Sequence, residues 1–173
     1  MAVSVREANR SRADREWIER AYREYLQDLG AGGTGVYPSL TVTGQQSSDL
    51  LEPWFHNERS TPLVILSDGR PAGFALVERT SAARGGPQAA FRLTEFFICA
   101  GQRRLGLGRE AARLLFDRFA GQWLVVQSLS DQGATAFWRK VIAGYTRGRY
   151  RERTAGAEMQ QTFDSAGRVT RDA

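Results

Sequence analysis

The chain is poor in the residues that most often carry metal or thiol chemistry. Its 173 residues include one cysteine, Cys99, one histidine, His56, and one lysine, Lys140. A single cysteine excludes an intramolecular disulfide, and so few soft ligands give no basis for a zinc site. Cys99 and His56 are far apart in sequence, so no nucleophile–base pair can be read from them. Cys99 reads either as an acyl-accepting thiol or as a small buried hydrophobe, and His56 as a surface or helix-end residue. No apolar run approaches the roughly 20 residues that span a bilayer, so no membrane partner is expected. The opening residues, MAVSVREANRSR, lack the apolar stretch of a secretory signal. Together with the lone cysteine this gives a cytoplasmic expectation.

What is present is arginine. Lysine and arginine total 24 against 19 acidic residues, a formal charge of +5, and the sequence pI is about 10.0. A dedicated nucleic-acid surface gathers such charge on one face, interleaved with stacking aromatics. Here the arginines are scattered among the acids, so no nucleic-acid partner is expected. The excess reads as a chain-wide arginine usage with local anion sites. At 42% hydrophobic and 25% charged, the composition suits one packed domain.

Periodicity divides the chain into alternating elements. Residues 2–8 alternate as a strand. Trp17, Ile18, Ala21, Tyr22, Tyr25, Leu26 and Leu29 form one stripe of a helix expected to stop at Gly30. A glycine-rich loop follows, then a short helix at about 46–57. Residues 62–66 and 72–77 flank Ser67-Asp68-Gly69-Arg70 as a hairpin. Strands are expected at 90–99 and 123–129 and helices from about 107 to 120 and from 131 to 143. The first of these helices should present Gly108, Ala111, Ala112, Leu115 and Phe119 on one face. Short strands near 145–151 and 158–163 close a mixed α/β domain.

The most informative stretch is Gln102-Arg103-Arg104-Leu105-Gly106-Leu107-Gly108-Arg109. A helix starts with about four backbone N–H groups lacking intrahelical acceptors, and Ser, Thr, Asp or Asn most often satisfies one of them. None of these residues lies between Gln102 and Ala112. The donors stay available, the helix dipole makes the site electropositive, and Arg103 and Arg104 add charge. A phosphate-bearing ligand fits; a tight turn that needs glycine for its backbone angles is the alternative. The G-K-[ST] ending of a Walker A loop and the third glycine of a dinucleotide fingerprint are both missing.

Arg103-x-x-Gly106-x-Gly108 resembles the Q/R-x-x-G-x-G/A signature of the GNAT superfamily of N-acetyltransferases. Asp131-x-x-Ala134-x-x-Phe137-Trp138 is similar to the family's N-x-x-A-x-x-F/Y-Y helix start. The resemblance is clearest from about residue 92 to 150. It implies an α/β fold with a mixed sheet: one GNAT-like domain over 1–165, with a central, mostly antiparallel sheet flanked by helices and splayed parallel strands at the cofactor cleft. Residues 166–173 would be a polar tail. The cosubstrate implied is acetyl-CoA. It would be held by Phe97 and Ile98 on the strand, by Arg103, Arg104, Leu105, Gly106, Leu107, Gly108 and Arg109 in the loop and helix start, and by Asp131, Phe137 and Trp138. Dimers are common among resembling proteins, so a homodimer is one assembly to test.

The implied reaction moves an acetyl group from acetyl-CoA to an amine by direct attack. A lysine-like amine has a pKa of about 10.4, so a base is useful at neutral pH. Glu95, on the strand before the loop, is the leading base, acting through water; a solvent-facing strand residue is the other reading. A backbone N–H near Phe97 or Ile98 could donate to the developing oxyanion. Trp138 stands where many members carry the tyrosine that protonates the thiolate, and an indole cannot do so. Tyr145 and Tyr150 are the replacement candidates, or else packing residues. Asp131 stands where asparagine is common, which changes the polarity of a cofactor contact. The resemblance puts the acceptor, a small-molecule or peptide amine, near the first helix, the loop after it and the C-terminal strands. Tyr25, Asp28 and Tyr37 are the residues named there, with Asp28 either holding the cation or merely solvated. A module that binds the coenzyme without turnover is the alternative function.

Overall fold

The computed structural model describes residues 1–32, 47–80 and 89–166. The loop carrying Tyr37, the linker around Gly85 and the tail from 167 onward lie outside the described residues. Along the chain come β1 (Val3–Glu7), α1 (Arg12–Gly32), α2 (Ser47–His56), β2 (Ser60–Ser67), β3 (Arg70–Arg79), β4 (Phe91–Ile98), α3 (Leu107–Arg118), β5 (Gln122–Ser128), α4 (Gln132–Thr146), β6 (Arg151–Ala155) and β7 (Glu158–Asp164). A single turn of 3-10 helix, Ala100–Gln102, sits between β4 and α3.

The strands form one seven-stranded sheet in the order β1-β2-β3-β4-β5-β7-β6. Every neighbouring pair is antiparallel except β4 and β5. The β2–β3 hairpin turns at Asp68 and Gly69, whose φ values of 48° and 78° are those a two-residue Asp-Gly turn of type I′ requires. One face of the sheet is covered by α3 and α4, burying Leu107, Ala111, Leu115, Phe116 and Ile142 against Leu63, Val77, Leu93 and Trp123. The other is covered by α1 and α2, which set Ile18, Tyr22, Tyr25 and Trp54 on Val64, Phe74 and Phe97. Asp14, 3% exposed, joins α1 to β1 through two 2.7 Å hydrogen bonds from Arg6.

One irregularity shapes the sheet. Leu76 stands opposite Glu95 and Val77 opposite Leu93, so Thr94 is an extra residue in β4, a β-bulge. Ahead of it, Phe91 and Leu93 face α3; beyond it Ile98 takes that side, with Phe96 packed against the same cluster, while Phe97 faces α1. Pairing with β5 stops at the same place. Only Phe91, Arg92 and Leu93 lie beside Trp123, Leu124 and Val125, although β5 runs on to Ser128. The two parallel strands part there.

Three element boundaries differ from expectation. α1 passes Gly30 and ends at Gly32; an interior glycine costs a helix about 1 kcal/mol but does not stop it. α3 ends at Arg118 with Phe119 as its C-cap, and Phe119 still packs inward on Phe91 and Trp123 in the same cluster as Ala111 and Leu115. The strand expected over 145–151 is replaced by the end of α4 and a turn. Val141, Ile142, Tyr145 and Thr146 continue the helix's buried stripe. Arg147 (φ 55°) and Gly148 (φ 79°) then close it, with Gly148 N–H on Ala143 O at 2.9 Å.

Two glycines give opposite predictions. A Cβ on Gly73 would overlap the Phe97 carbonyl oxygen and stand 2.9 Å from Ile98 Cδ1, so Gly73→Ala should destabilise by about 1–3 kcal/mol. Gly144, inside α4, has nothing within 4 Å of an added Cβ, so Gly144→Ala should stabilise by roughly 0.5–1 kcal/mol. Urea unfolding of the two variants checks both signs.

Candidate functional site

Where β4 and β5 part, a cleft of about 680 Å³ opens, within the range of small-molecule sites. The end of β4 supplies Phe96, Phe97 and Ile98, and α4 supplies Phe137, Trp138 and Lys140. The start of α3 closes one end, and Tyr25 and Asp28 reach in from α1.

α3 begins at Gly106, in the left-handed region with φ 83°, and no side chain caps it. The first intrahelical bond runs from Glu110 N–H to Gly106 O at 3.1 Å. The N–H groups of Leu107, Gly108 and Arg109 stand ahead of it, as the missing cap predicts. The two glycines serve different ends. A Cβ on Gly106 would come no nearer than 4.0 Å to Arg109 Nη2, so its role is conformational. A Cβ on Gly108 would lie 3.3 Å from Phe137 Cζ and 3.6 Å from Ile98 Cγ1; glycine there lets Phe137 of α4 pack on the helix start. Leu107 is 1% exposed and Leu105 62%. Neither side chain lines the cleft, which leaves their backbone as the part available to a ligand.

The arginines divide likewise. Arg104 and Arg109 line the cleft, and neither makes an ion pair among the described residues. Arg103 is held: its Nε donates to Ile98 O at 2.8 Å, its Nη2 pairs with Asp28, and its guanidinium lies 5.4 Å over the Phe97 ring. One helical turn earlier, Glu24 Oε1 accepts from Ala100 N–H at 3.1 Å. Two carboxylates of α1 therefore clamp the turn after β4. Arg103 and Asp28, expected on the cofactor and the acceptor respectively, are paired with each other.

Cys99 N–H donates to Ala72 O at 3.0 Å. The alternation of an antiparallel ladder then turns Phe97 N–H toward β3 as well, and those of Phe96 and Ile98 toward the free edge of β4. Asp131 caps α4, its Oδ1 accepting from Ala134 N–H at 2.8 Å. Its Oδ2 is buried with no hydrogen-bond partner among the described residues. Trp138, 3% exposed, stands edge-on to Phe96 at 5.1 Å and forms cleft wall.

Glu95 does not line the cleft. It is 4% exposed, and its Oε2 accepts from the hydroxyl of Tyr25. Burial, with Glu78 nearby, pushes its carboxyl up to about 8, against opposing effects of the Tyr25 hydrogen bond and Arg92. Burial and the Glu95 charge raise Tyr25 well above the usual phenol range, so it stays neutral. Tyr145 and Tyr150 are elsewhere: the Tyr145 hydroxyl donates to Asp117 Oδ1 at 2.9 Å, and Tyr150 lines a separate groove beside Arg151 and Thr162. Cys99 is half-buried, and burial pushes its thiol up to about 11, which disfavours the thiolate that acyl transfer needs. His56 is at the exposed end of α2, 2.6 Å from Glu52. No cluster of three His, Cys, Asp or Glu is placed for a metal among the described residues, and no helix there is long and apolar enough to cross a membrane.

Some of the lining escaped the sequence reading. Gly133, Lys140 and Val141 share a face of α4 with Phe137. Their spacing of i, i+7 and i+8 about i+4 was the available signal.

The Acetyltransferase (GNAT) family profile matches residues 15–145. No curated protein matches the sequence. Among solved structures, an acetyltransferase from Thermus thermophilus superposes with a TM-score of 0.66 at 14% identity, over 95% of this chain and 97% of its own. The Salmonella typhimurium protein yncA, solved with its cofactor acetyl-CoA, gives 0.63 at 14%, over 95% of each chain. The PaiA N-acetyltransferase of Thermoplasma acidophilum, in complex with coenzyme A, gives 0.59 at 13%, over 95% and 99%.

The raised Glu95 carboxyl sets a sign for stability. Its folded pKa of about 8 exceeds the ordinary value of 4.5, so the folded state binds the extra proton. That contribution is full below about pH 4.5 and is lost as pH rises through about 8. Glu95→Gln should therefore raise Tm relative to the native chain at pH 9, by a margin that shrinks toward pH 5. Thermal melts across that range check it.

Proposed function

Because the chain belongs to the acetyltransferase (GNAT) family, we propose that it transfers the acetyl group of acetyl-CoA to a primary amine, by direct attack with both bound. The observation that carries this reading is the junction of two features. The parted β4 and β5 lead directly to an α3 N-terminus that has no side-chain cap. The donor set suits a pyrophosphate: the N–H groups of Leu107, Gly108 and Arg109, with Arg104 and Arg109 beside them. Arg103 holds the loop in shape, and Gly106 and Leu105 carry its backbone past the ligand. The free edge of β4 at Phe96 offers backbone partners to the pantetheine arm. The buried, unpartnered Asp131 Oδ2 is an acceptor, suited to an amide N–H where asparagine would offer either polarity. Phe97, Phe137 and Trp138 wall the arm.

Acetyl-CoA supplies the activated thioester. The chain's part is to position the amine, polarise the carbonyl and take up a proton. Ile98 N–H, on the free edge, is the oxyanion donor. Glu95 takes the proton: a carboxylate with a pKa of about 8 is a stronger base than an ordinary one and closer to the amine it must serve. Since the ionised form is the one required, the rate rises with pH through about 8. Trp138 has no hydroxyl and Tyr145 is bonded to Asp117, so the sulfur takes its proton from solvent. The acceptor, a small-molecule or peptide amine, enters from the α1 side past Tyr25 and Asp28. Asp28 can hold a cation there only by giving up Arg103.

Acetyl-CoA at 100 times its Kd should raise stability by about 2.7 kcal/mol. Arg104→Ala with Arg109→Ala should weaken its binding by about tenfold or more, at roughly 1.4 kcal/mol per decade. Thermal shift and free-thiol release across an amine panel test both parts. A shift without thiol release from any amine would indicate a module that binds without turnover, and no shift would contradict the site.

A further inference from the structure

Resting on the acetyltransfer reading, we infer that the proton leaving the amine reaches Glu95 through the hydroxyl of Tyr25 and not through water. The geometry is specific. Both residues are buried, Tyr25 3% and Glu95 4% exposed, but only Tyr25 contributes to the cleft lining, and its hydroxyl donates to Glu95 Oε2. Aromatic rings hold that phenol in place. Tyr25 stands edge-on to Phe74 at 5.6 Å and 5.4 Å from Phe97, with Tyr22 at 5.6 Å. The carboxylate is thus behind a phenol that belongs to the cleft wall and is hydrogen-bonded to it.

The step balances. As the amine nitrogen bonds to the acetyl carbon and the carbon–sulfur bond breaks, the nitrogen's proton passes to Tyr25 Oη and the phenol's own proton passes to Glu95 Oε2. Glu95 then returns a proton to Tyr25 Oη, whose hydroxyl proton passes through the cleft to solvent, and solvent supplies one to the sulfur, so thiol leaves and the carboxylate and phenol are both restored. Tyr25 touches the reacting amine and is a catalytic residue; Glu95 acts through it. The groups facing Glu95 are Tyr22 and Tyr25 from α1, with Glu78 from β3 and Arg92 on its own strand. Of these four, Tyr25 is the one hydrogen-bonded to it.

The test is Tyr25→Phe, which keeps the ring packing and removes one oxygen. Its acetyl-CoA thermal shift should equal that of the native chain. Its kcat should fall by about 100-fold, the lower range for a lost acid–base group, and the acidic limb of its pH profile should vanish. Glu95→Gln should show the same fall and the same lost limb, and the double variant should be no slower than either single. A Tyr25→Phe rate within twofold of native with the limb intact would overturn the relay and return Glu95 to a water route. Losses that multiply in the double variant would also overturn it. If the native chain itself released no thiol while binding acetyl-CoA, the acetyltransfer reading would fall first. Should Tyr25→Phe not fold, native rates in mixtures of light and heavy water decide: a bowed dependence fits two protons in flight, and a straight line contradicts it.

Discussion

The extra residue Thr94 in β4 is the constraint on which the site depends. A strand that kept its register would hold Glu95 on the same face as Leu93, among Val77 and the α3 side chains. The bulge turns Glu95 to the α1 face instead, where Tyr25 meets it. It also ends the pairing with β5 after Leu93, freeing the edge of β4 at Phe96 and Ile98. One inserted residue therefore opens the cleft and places a carboxylate behind its wall. Gly73 supports the same geometry from β3, because the backbone of Phe97 lies where a side chain would be.

Around that opening, charge is used in two ways. Glu24 and Asp28 of α1 fix the turn after β4 through Ala100 N–H and Arg103, so the loop's shape is set by the opposite face of the protein. Arg104 and Arg109 are left to face the cleft. Many of the other arginines are absorbed locally: Arg113 by Glu110 and Asp117, Arg118 by Glu7, Arg139 by Glu152. A pI near 10 therefore coexists with several arginines that are paired locally with carboxylates.

Most of the architecture was legible in the sequence because it rests on period and punctuation. The hairpin at Asp68-Gly69, the stripes of α1 and α4, and the uncapped start of α3 are local patterns, and the structure reproduces them. The bulge was not legible. Leu93-Thr94-Glu95-Phe96-Phe97 breaks strict alternation with two polar and then two apolar neighbours, but only its register against β3 identifies Thr94 as the extra residue. The same gap explains why Glu95 was expected to meet water and is found buried. Arg103 and Asp28 were assigned to ligands because sequence shows charge but not which charges neutralise each other across 75 positions. Gly108 leaves room for Phe137, a contact between helices that no local pattern encodes.

The central claim is that the uncapped backbone at the start of α3, with Arg104 and Arg109 beside it, receives the coenzyme. Amide hydrogen exchange followed residue by residue, with and without coenzyme A, tests it most directly. Exchange at Leu107, Gly108 and Arg109 should slow on binding, since these N–H groups precede the first intrahelical bond and gain an acceptor only from the ligand. Binding that left those three amides exchanging as before would contradict the account.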